Sequence, residues 1–219
     1  MKPSSPLQEH PSGLFLRLPG FPGTEAWSAG FTTLRAGGTM DPVLPRLGWK
    51  GLPVFRPVQV HGGRVLKVAR PGGADSFREE ADGLATGLRG IVLAVASADC
   101  VPLILFDPGA QAGAVLHAGW RGTCRGIARE GVRLLENEYA SRPGDLLALI
   151  GPCIGPCCYR IGDEVVRAFR DAGIDGEGKI LLKDERALRL DLPAANRRLL
   201  EDAGIPPRRI FEAGLCTRC

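Results

Sequence analysis

The chain is short of histidine, of unbroken apolar sequence and of net charge, and each shortage excludes something. Three histidines in 219 residues are too few for a cluster of several metal ions built on imidazole ligands. The longest apolar stretch, IVLAVASADCVPLILF, is broken by Asp99, Cys100 and Pro102. It therefore reads as two buried strands around a polar interruption and not as a membrane span. The opening MKPSSPLQEHPSG lacks the apolar segment of an export signal, so a cytoplasmic location is expected. A formal net charge of +4 is too weak and too scattered for a nucleic-acid surface, although it suits an anionic substrate. Seven cysteines, an odd number, argue against a complete disulfide framework and for reduced thiols. Dinucleotide, nucleoside-triphosphate, serine-hydrolase and HExxH zinc motifs are all missing. There is also no internal repeat and no heptad run.

What remains is an ordinary globular composition, 44% hydrophobic and 24% charged, in a chain long enough for one substantial core. Residues 1–25, rich in Pro, Gly and Ser, read as a loose N-terminal arm, and 26–219 as a single domain. Strands are expected at Ser28–Thr33, Val58–Val60, Arg64–Ala69, Ile91–Ala96, Val101–Phe106, Gly113–Leu116, Leu146–Ile150 and Arg209–Glu212. The second and third of these flank His61-Gly62-Gly63 as a hairpin-like bend. Helical spacing predicts helices over Thr123–Tyr139, around Ile161, Val165 and Phe169, and from an Asp191 N-cap through Leu192, Ala195 and Leu199. The fold class is mixed α+β.

Three polar residues stand where apolar runs begin or end: His61 after PVQV, Cys100 in ASADC and His117 after GAVL. Two imidazoles and a thiolate suit Zn²⁺, and three protein ligands leave a fourth position open, as in catalytic zinc sites. The plainer reading is two satisfied core histidines and a buried thiol. Asp99, beside Cys100, is the local candidate to orient a ligand or carry a proton. Arg121 and the start of the following helix suit an anion, whereas Arg125, Arg129 and Arg133 read as a solvated face. Trp120 either stacks on a substrate ring or caps the core. Gln59, two residues before His61, shares its face if the strand persists and is a candidate substrate contact.

The segments QVHG, SADCVPLILFDP, HAGWRG, GPCIGPCCYRIGDEV and CTRC together resemble the signature segments of the YfiH-type, or laccase-domain, family. That family was formerly called multicopper polyphenol oxidase and has also been linked to peptidoglycan editing. The resemblance covers roughly residues 28–219. It implies an α/β/β/α layered sandwich and a metal, usually zinc, on His61, Cys100 and His117. It also implies purine nucleoside phosphorylase, adenosine deaminase and methylthioadenosine phosphorylase activities, with a purine nucleoside and phosphate as small-molecule partners. The family's Thr-Arg-x-Gly-Gly appears as TTLRAGG, which makes Arg35 a substrate-binding candidate displaced by one residue. The segment before QVHG is short, and the chain stops at Cys219 where relatives continue into an aromatic, Arg-rich tail.

Other readings follow from the same residues. Copper can occupy the three-ligand site, since Cu²⁺ binds such donors more tightly than Zn²⁺. Cys100 with His61 or His117 could instead serve a cysteine-dependent amidase or hydrolase acting on a cell-wall precursor, and a non-catalytic metal-binding module is a third possibility. Cys153, Cys157 and Cys158 with the CxxC of Cys216 and Cys219 invite a second zinc site. No matching CxxC exists and Pro152 and Pro156 constrain the backbone, so buried thiols are expected. Cys124 is expected near a helix start, where thiol pKa values fall. Neither nucleic acid nor membrane is an expected partner, and the oligomeric state, monomer or weak dimer, is open.

Overall fold

The computed structural model describes residues 8–9, 15–17, 29–32, 43–74, 77–174, 179–183 and 187–219. Three short strands, β1 (Gln8–Glu9), β2 (Phe15–Arg17) and β3 (Gly30–Thr32), pair antiparallel in that order. Most of the expected arm at 1–25 lies outside the described residues; the five that are described are paired strands instead of loose chain. β4 (Val54–Phe55) pairs in parallel with β7 (Val92–Leu93).

The main sheet contains β5 (Val65–Lys67), β6 (Gly83–Thr86), β8 (Val101–Asp107), β9 (Ala112–Ala118), β10 (Leu147–Ile150) and β13 (Ile210–Glu212). Its order is β13-β10-β8-β9-β6-β5. A separate antiparallel pair is formed by β11 (Leu181–Lys183) and β12 (Leu188–Leu190). On one face Val101, Leu103, Leu105, Ala114, Leu116 and Ala118 meet the helices. On the other, Val115 and Leu84 pack with Phe55 and Val68. Cover on both faces explains why β8 and β9 read as nearly continuous apolar runs without alternation.

The helix expected at 123–139 is two helices, α1 (Trp120–Cys124) and α2 (Ile127–Tyr139). Gly126, at φ +74°, takes the left-handed turn between them that other residues resist. α2 then buries Ile127, Val132 and Leu135 on β9 and its neighbours. α3 (Asp163–Asp171) buries Val165 and Phe169. α4 (Leu192–Asp202) starts at Asp191, whose carboxylate accepts the Ala194 N–H at 2.9 Å, a cap typically worth about 1 kcal/mol. The architecture is the mixed α+β single domain that the sequence indicates.

One expectation is corrected. The runs at Val58–Val60 and Arg64–Ala69 do not pair as a hairpin: Val58 bridges Glu80, and β5 pairs in parallel with β6. The amides between them are taken up by a side chain of another segment, described below. Register then sets the site. β8 and β9 align Val101 with Ala118 and Pro102 with His117, while β6 and β9 align Gly83 with Leu116. Cys100, His117 and Asp82 therefore meet at one rim. The parallel match of Val65 with Gly83 brings His61–Gly63 to the same rim.

Candidate metal centre

The ligand atoms of His61, Cys100 and His117 lie within 4.8 Å of one another. The two imidazoles meet edge to face, with ring centroids 4.8 Å apart. His117 is buried, Cys100 half-buried and His61 exposed, so the group opens to one side.

Asp82 organises this group, and nothing in the sequence reading singled it out. It is fully buried. Its carboxylate accepts the backbone N–H groups of Val60 (3.2 Å), His61 (3.0 Å) and Gly62 (2.6 Å) and meets His117 Nδ1 at 2.9 Å. Burial alone would raise its pKa, but the His117 hydrogen bond and the backbone amides outweigh it and hold the carboxyl below its ordinary range. With Nδ1 committed to Asp82, His117 presents Nε2 to a ligand, the carboxylate–histidine arrangement found behind metal-bound imidazoles. The one available signal was a single acid inside the small, apolar run ADGLATG.

His61 has φ +56°, a conformation costing a non-glycine residue on the order of 1 kcal/mol. It is held there from two sides, by Asp82 on its amide and by Arg125 Nη1 on its carbonyl at 3.0 Å. Arg125 is thus a brace for the loop and not part of a merely solvated face. Arg129 and Arg133 do pair at the surface, with Asp202 and Glu130. A Cβ on Gly119 would lie 2.9 Å from Cys100 Sγ, and one on Gly122 would lie 2.8 Å from the Gly62 carbonyl oxygen. Both glycines permit this close approach.

The remaining candidates are placed as follows. Cys100 has its thiol pKa raised by burial and then by the Asp99 and Asp82 carboxylates; a divalent cation would reverse that balance. Asp99 is exposed, accepts the Thr217 hydroxyl at 2.7 Å, and offers its backbone carbonyl to the Ile154 N–H at 2.9 Å. The Gln59 amide bonds both backbone groups of Ala96, at 2.9 and 2.7 Å. The chain turns at His61, so the shared strand face does not form. Trp120 is half-buried against the core, and the exposed Arg121 guanidinium sits 4.2 Å from its ring centroid. Arg35 lies outside the described residues. Tyr159, also passed over in the sequence, has its hydroxyl pushed up to about 12 by burial and by Cys100, against the lowering influence of Arg121.

The other cysteines correct two expectations. Cys124 closes α1 instead of opening a helix, and burial pushes its thiol up to about 11. Cys153 is buried as expected. Cys157, Cys158, Cys216 and Cys219 are not: two are exposed and two half-buried, with all four sulfurs within 4.8 Å of one another. A parallel bridge between Cys153 and Cys216 aligns the two segments despite the prolines.

The chain is similar to several known proteins. Over 182 residues the chain is 38% identical to the purine nucleoside phosphorylase YlmD of Geobacillus stearothermophilus, covering 78% of this chain and 66% of that protein. It is 39% identical over 170 residues to the adenosine deaminase RL5 of an unknown prokaryotic organism, covering 74% and 64% respectively. The chain thus spans about two thirds of the length of these curated relatives. The crystal structure of the hypothetical protein YfiH of Bacillus licheniformis superposes with a TM-score of 0.86 at 32% identity, covering 97% of this chain and 89% of that one. Residues 43–219 match the family described as multi-copper polyphenol oxidoreductase laccase. With that match over most of its length, the chain belongs to the multi-copper polyphenol oxidoreductase laccase family.

Proposed function

We propose that this chain is a zinc-dependent enzyme of purine nucleosides, acting by phosphorolysis of adenosine, inosine or methylthioadenosine and by deamination of adenosine. The observation that carries the chemistry is the three-ligand group His61, Cys100 and His117 with a buried Asp82 behind it. The substrate class is supported by the relatives named purine nucleoside phosphorylase and adenosine deaminase. Two imidazoles and one thiolate fit zinc, with copper as a competitor for the same donors. Three histidines in the whole sequence do not provide for a multi-copper cluster, so the family's descriptive name is not taken as this chain's chemistry. His61, Cys100 and His117 would hold the ion, which would supply Lewis-acid stabilisation of developing negative charge.

The chain's own residues do the rest. Asp82 fixes the His117 ring and holds the His61 loop. Arg121 offers a cation to phosphate, and the Trp120 ring beneath it offers an apolar surface to the purine. Asp99 stands next to Cys100 as an acid–base group with Oδ1 anchored by Thr217. Tyr159, whose hydroxyl is pushed up to about 12 chiefly by burial, is a further phenol that could donate to a departing base or amine. Burial and then the Asp99 and Asp82 carboxylates raise the Cys100 thiol pKa, so the thiolate that either a ligand or a nucleophile requires calls for a cation or base beside it.

The test is metal content together with adenosine turnover, with and without phosphate, for wild type and Cys100→Ser. Loss of one zinc equivalent and of turnover in the variant is expected, and the products, inosine or free adenine, separate the two reactions. A metal-loaded wild type that turns over no nucleoside would instead indicate a binding module. Activity in metal-free protein would move the reading to a cysteine hydrolase.

A further inference from the structure

The four-cysteine group lies outside the site just described, and none of its sulfurs has a part in the proposed reaction. Two segments create it. β10 and β13 are parallel neighbours with Ile150 opposite Glu212, so the chain leaves the sheet twice at the same edge. The exits then run side by side: Thr217 N–H donates to the Cys153 carbonyl at 3.0 Å, and Cys153 N–H to Leu215 at 3.3 Å. Cys157 and Cys158 come from one exit, Cys216 and Cys219 from the other.

We propose that Cys157, Cys158, Cys216 and Cys219 form a second metal site, closed and structural, that takes zinc as a four-thiolate complex. The distances suit this better than disulfides. Zn–S bonds of about 2.3 Å in a tetrahedron place sulfurs about 3.8 Å apart, whereas a disulfide needs about 2.05 Å. All four sulfurs lie within 4.8 Å of one another, and Cys157 and Cys219 lie 3.5 Å apart. Small movements close such a set on an ion. Gly155 makes room, since a Cβ there would sit 3.2 Å from Cys157 Sγ and 3.4 Å from Cys216 Cβ. The Gly155 N–H also donates to Cys216 Sγ at 3.3 Å, the direction of polarity that a metal-bound thiolate requires. Four thiolates this close repel one another unless a cation lies among them, and an all-sulfur tetrahedron selects soft cations, zinc foremost.

The site would tie the 151–158 segment to the 213–219 segment, and both reach Asp99 beside Cys100, through the Ile154 N–H and the Thr217 hydroxyl. The first site is removed to isolate the second: His61→Ala/His117→Ala, purified reduced, is titrated with Co²⁺. One equivalent should bind with intense sulfur-to-cobalt charge-transfer absorption, and one equivalent of Zn²⁺ should displace it. Adding Cys216→Ser/Cys219→Ser should abolish that binding. Should the histidine variant not fold, zinc content of Cys157→Ser/Cys158→Ser against wild type reads the same site, with a fall of one zinc per chain expected. Unchanged metal content in the cysteine variants, iron in place of zinc, or a native mass short by two hydrogens from a disulfide would each overturn the proposal. None of these readouts depends on nucleoside turnover.

Discussion

The two groups of ligand atoms differ in what stands behind them. His117 and Cys100 are placed by the registers of β8 and β9, and a buried carboxylate fixes His117 and the His61 loop. The four cysteines leave the sheet on two loops and rest on a few backbone hydrogen bonds, with two of the four exposed. The first group is preorganised, and three donor atoms would leave a fourth tetrahedral position open on an ion they held. The second has enough sulfur ligands to fill a tetrahedron and little else to hold it. On the proposed reading, scaffold strength goes with the open three-ligand group, where binding must not relax the ligands, and the four-cysteine set is left for a metal to organise.

The sharpest way to break this comparison is Cys100→Ser. If the open site does the chemistry, turnover should fall by roughly a thousandfold, because Lewis-acid stabilisation is worth several kcal/mol. Metal in the four-cysteine group should be unaffected. Steady-state kinetics and metal analysis on one preparation check both halves. Next in size is Asp82→Asn. The amide keeps the shape but replaces one accepting oxygen with a donor that faces a backbone N–H or His117. Metal affinity at the open site should drop about 10- to 100-fold, measured by competition with a chromogenic chelator. Equal weakening of both sites would mean that Asp82 supports the fold in general.

Asp82 also marks where reading the sequence stops. His61, Cys100 and His117 were visible because each interrupts an apolar run. Asp82 follows SFREEA, and its one signal, an acid inside the run ADGLATG, does not say what it faces; the pairing of β6 with β9 places it at the rim. The four cysteines were dismissed for lack of a second CxxC. Their partners come together through the parallel contact of β10 with β13, and no local spacing encodes that contact. The helix break at Gly126 was missed, because helical spacing over 123–139 reads as one helix and outweighs the glycine after Arg125. The strands of β8, β9 and β10 were found because burial on both faces writes itself as composition. The supposed hairpin around His61 failed because its amides bond a side chain instead of a neighbouring strand.

Gly119→Ala probes the packing of the open site. The new methyl would meet Cys100 Sγ at 2.9 Å and His61 Cδ2 at 3.3 Å, so one of the ligands must move. Overpacking of this kind costs about 1–3 kcal/mol, which predicts about a tenfold loss of metal affinity together with a lowered Tm. The same change at Gly144, where a Cβ meets nothing within 4 Å, should leave metal affinity unaltered. A Gly119→Ala protein with wild-type affinity would show that the three ligands have slack, and would remove the contrast with the four-cysteine group.

The smallest effect is expected at Arg125→Gln. The arginines at 121, 125, 129 and 133 repeat every four residues, and the repeat alone assigns them one role. Their partners differ. Arg129 holds Asp202 on α4 at 3.1 Å, whereas Arg125 crosses to the His61 carbonyl at 3.0 Å. Losing that charged donor leaves His61 in its left-handed conformation with Asp82 as its remaining brace, so the imidazole samples more orientations before binding. A single hydrogen bond at an exposed site predicts about a fivefold weakening of metal affinity. Arg129→Gln should weaken only the contact between α2 and α4 and leave the metal where it is. If both substitutions change affinity equally, the effect is overall charge, and Arg125 belongs with the solvated face; if only Arg125→Gln does, a surface arginine helps set the geometry of the open site.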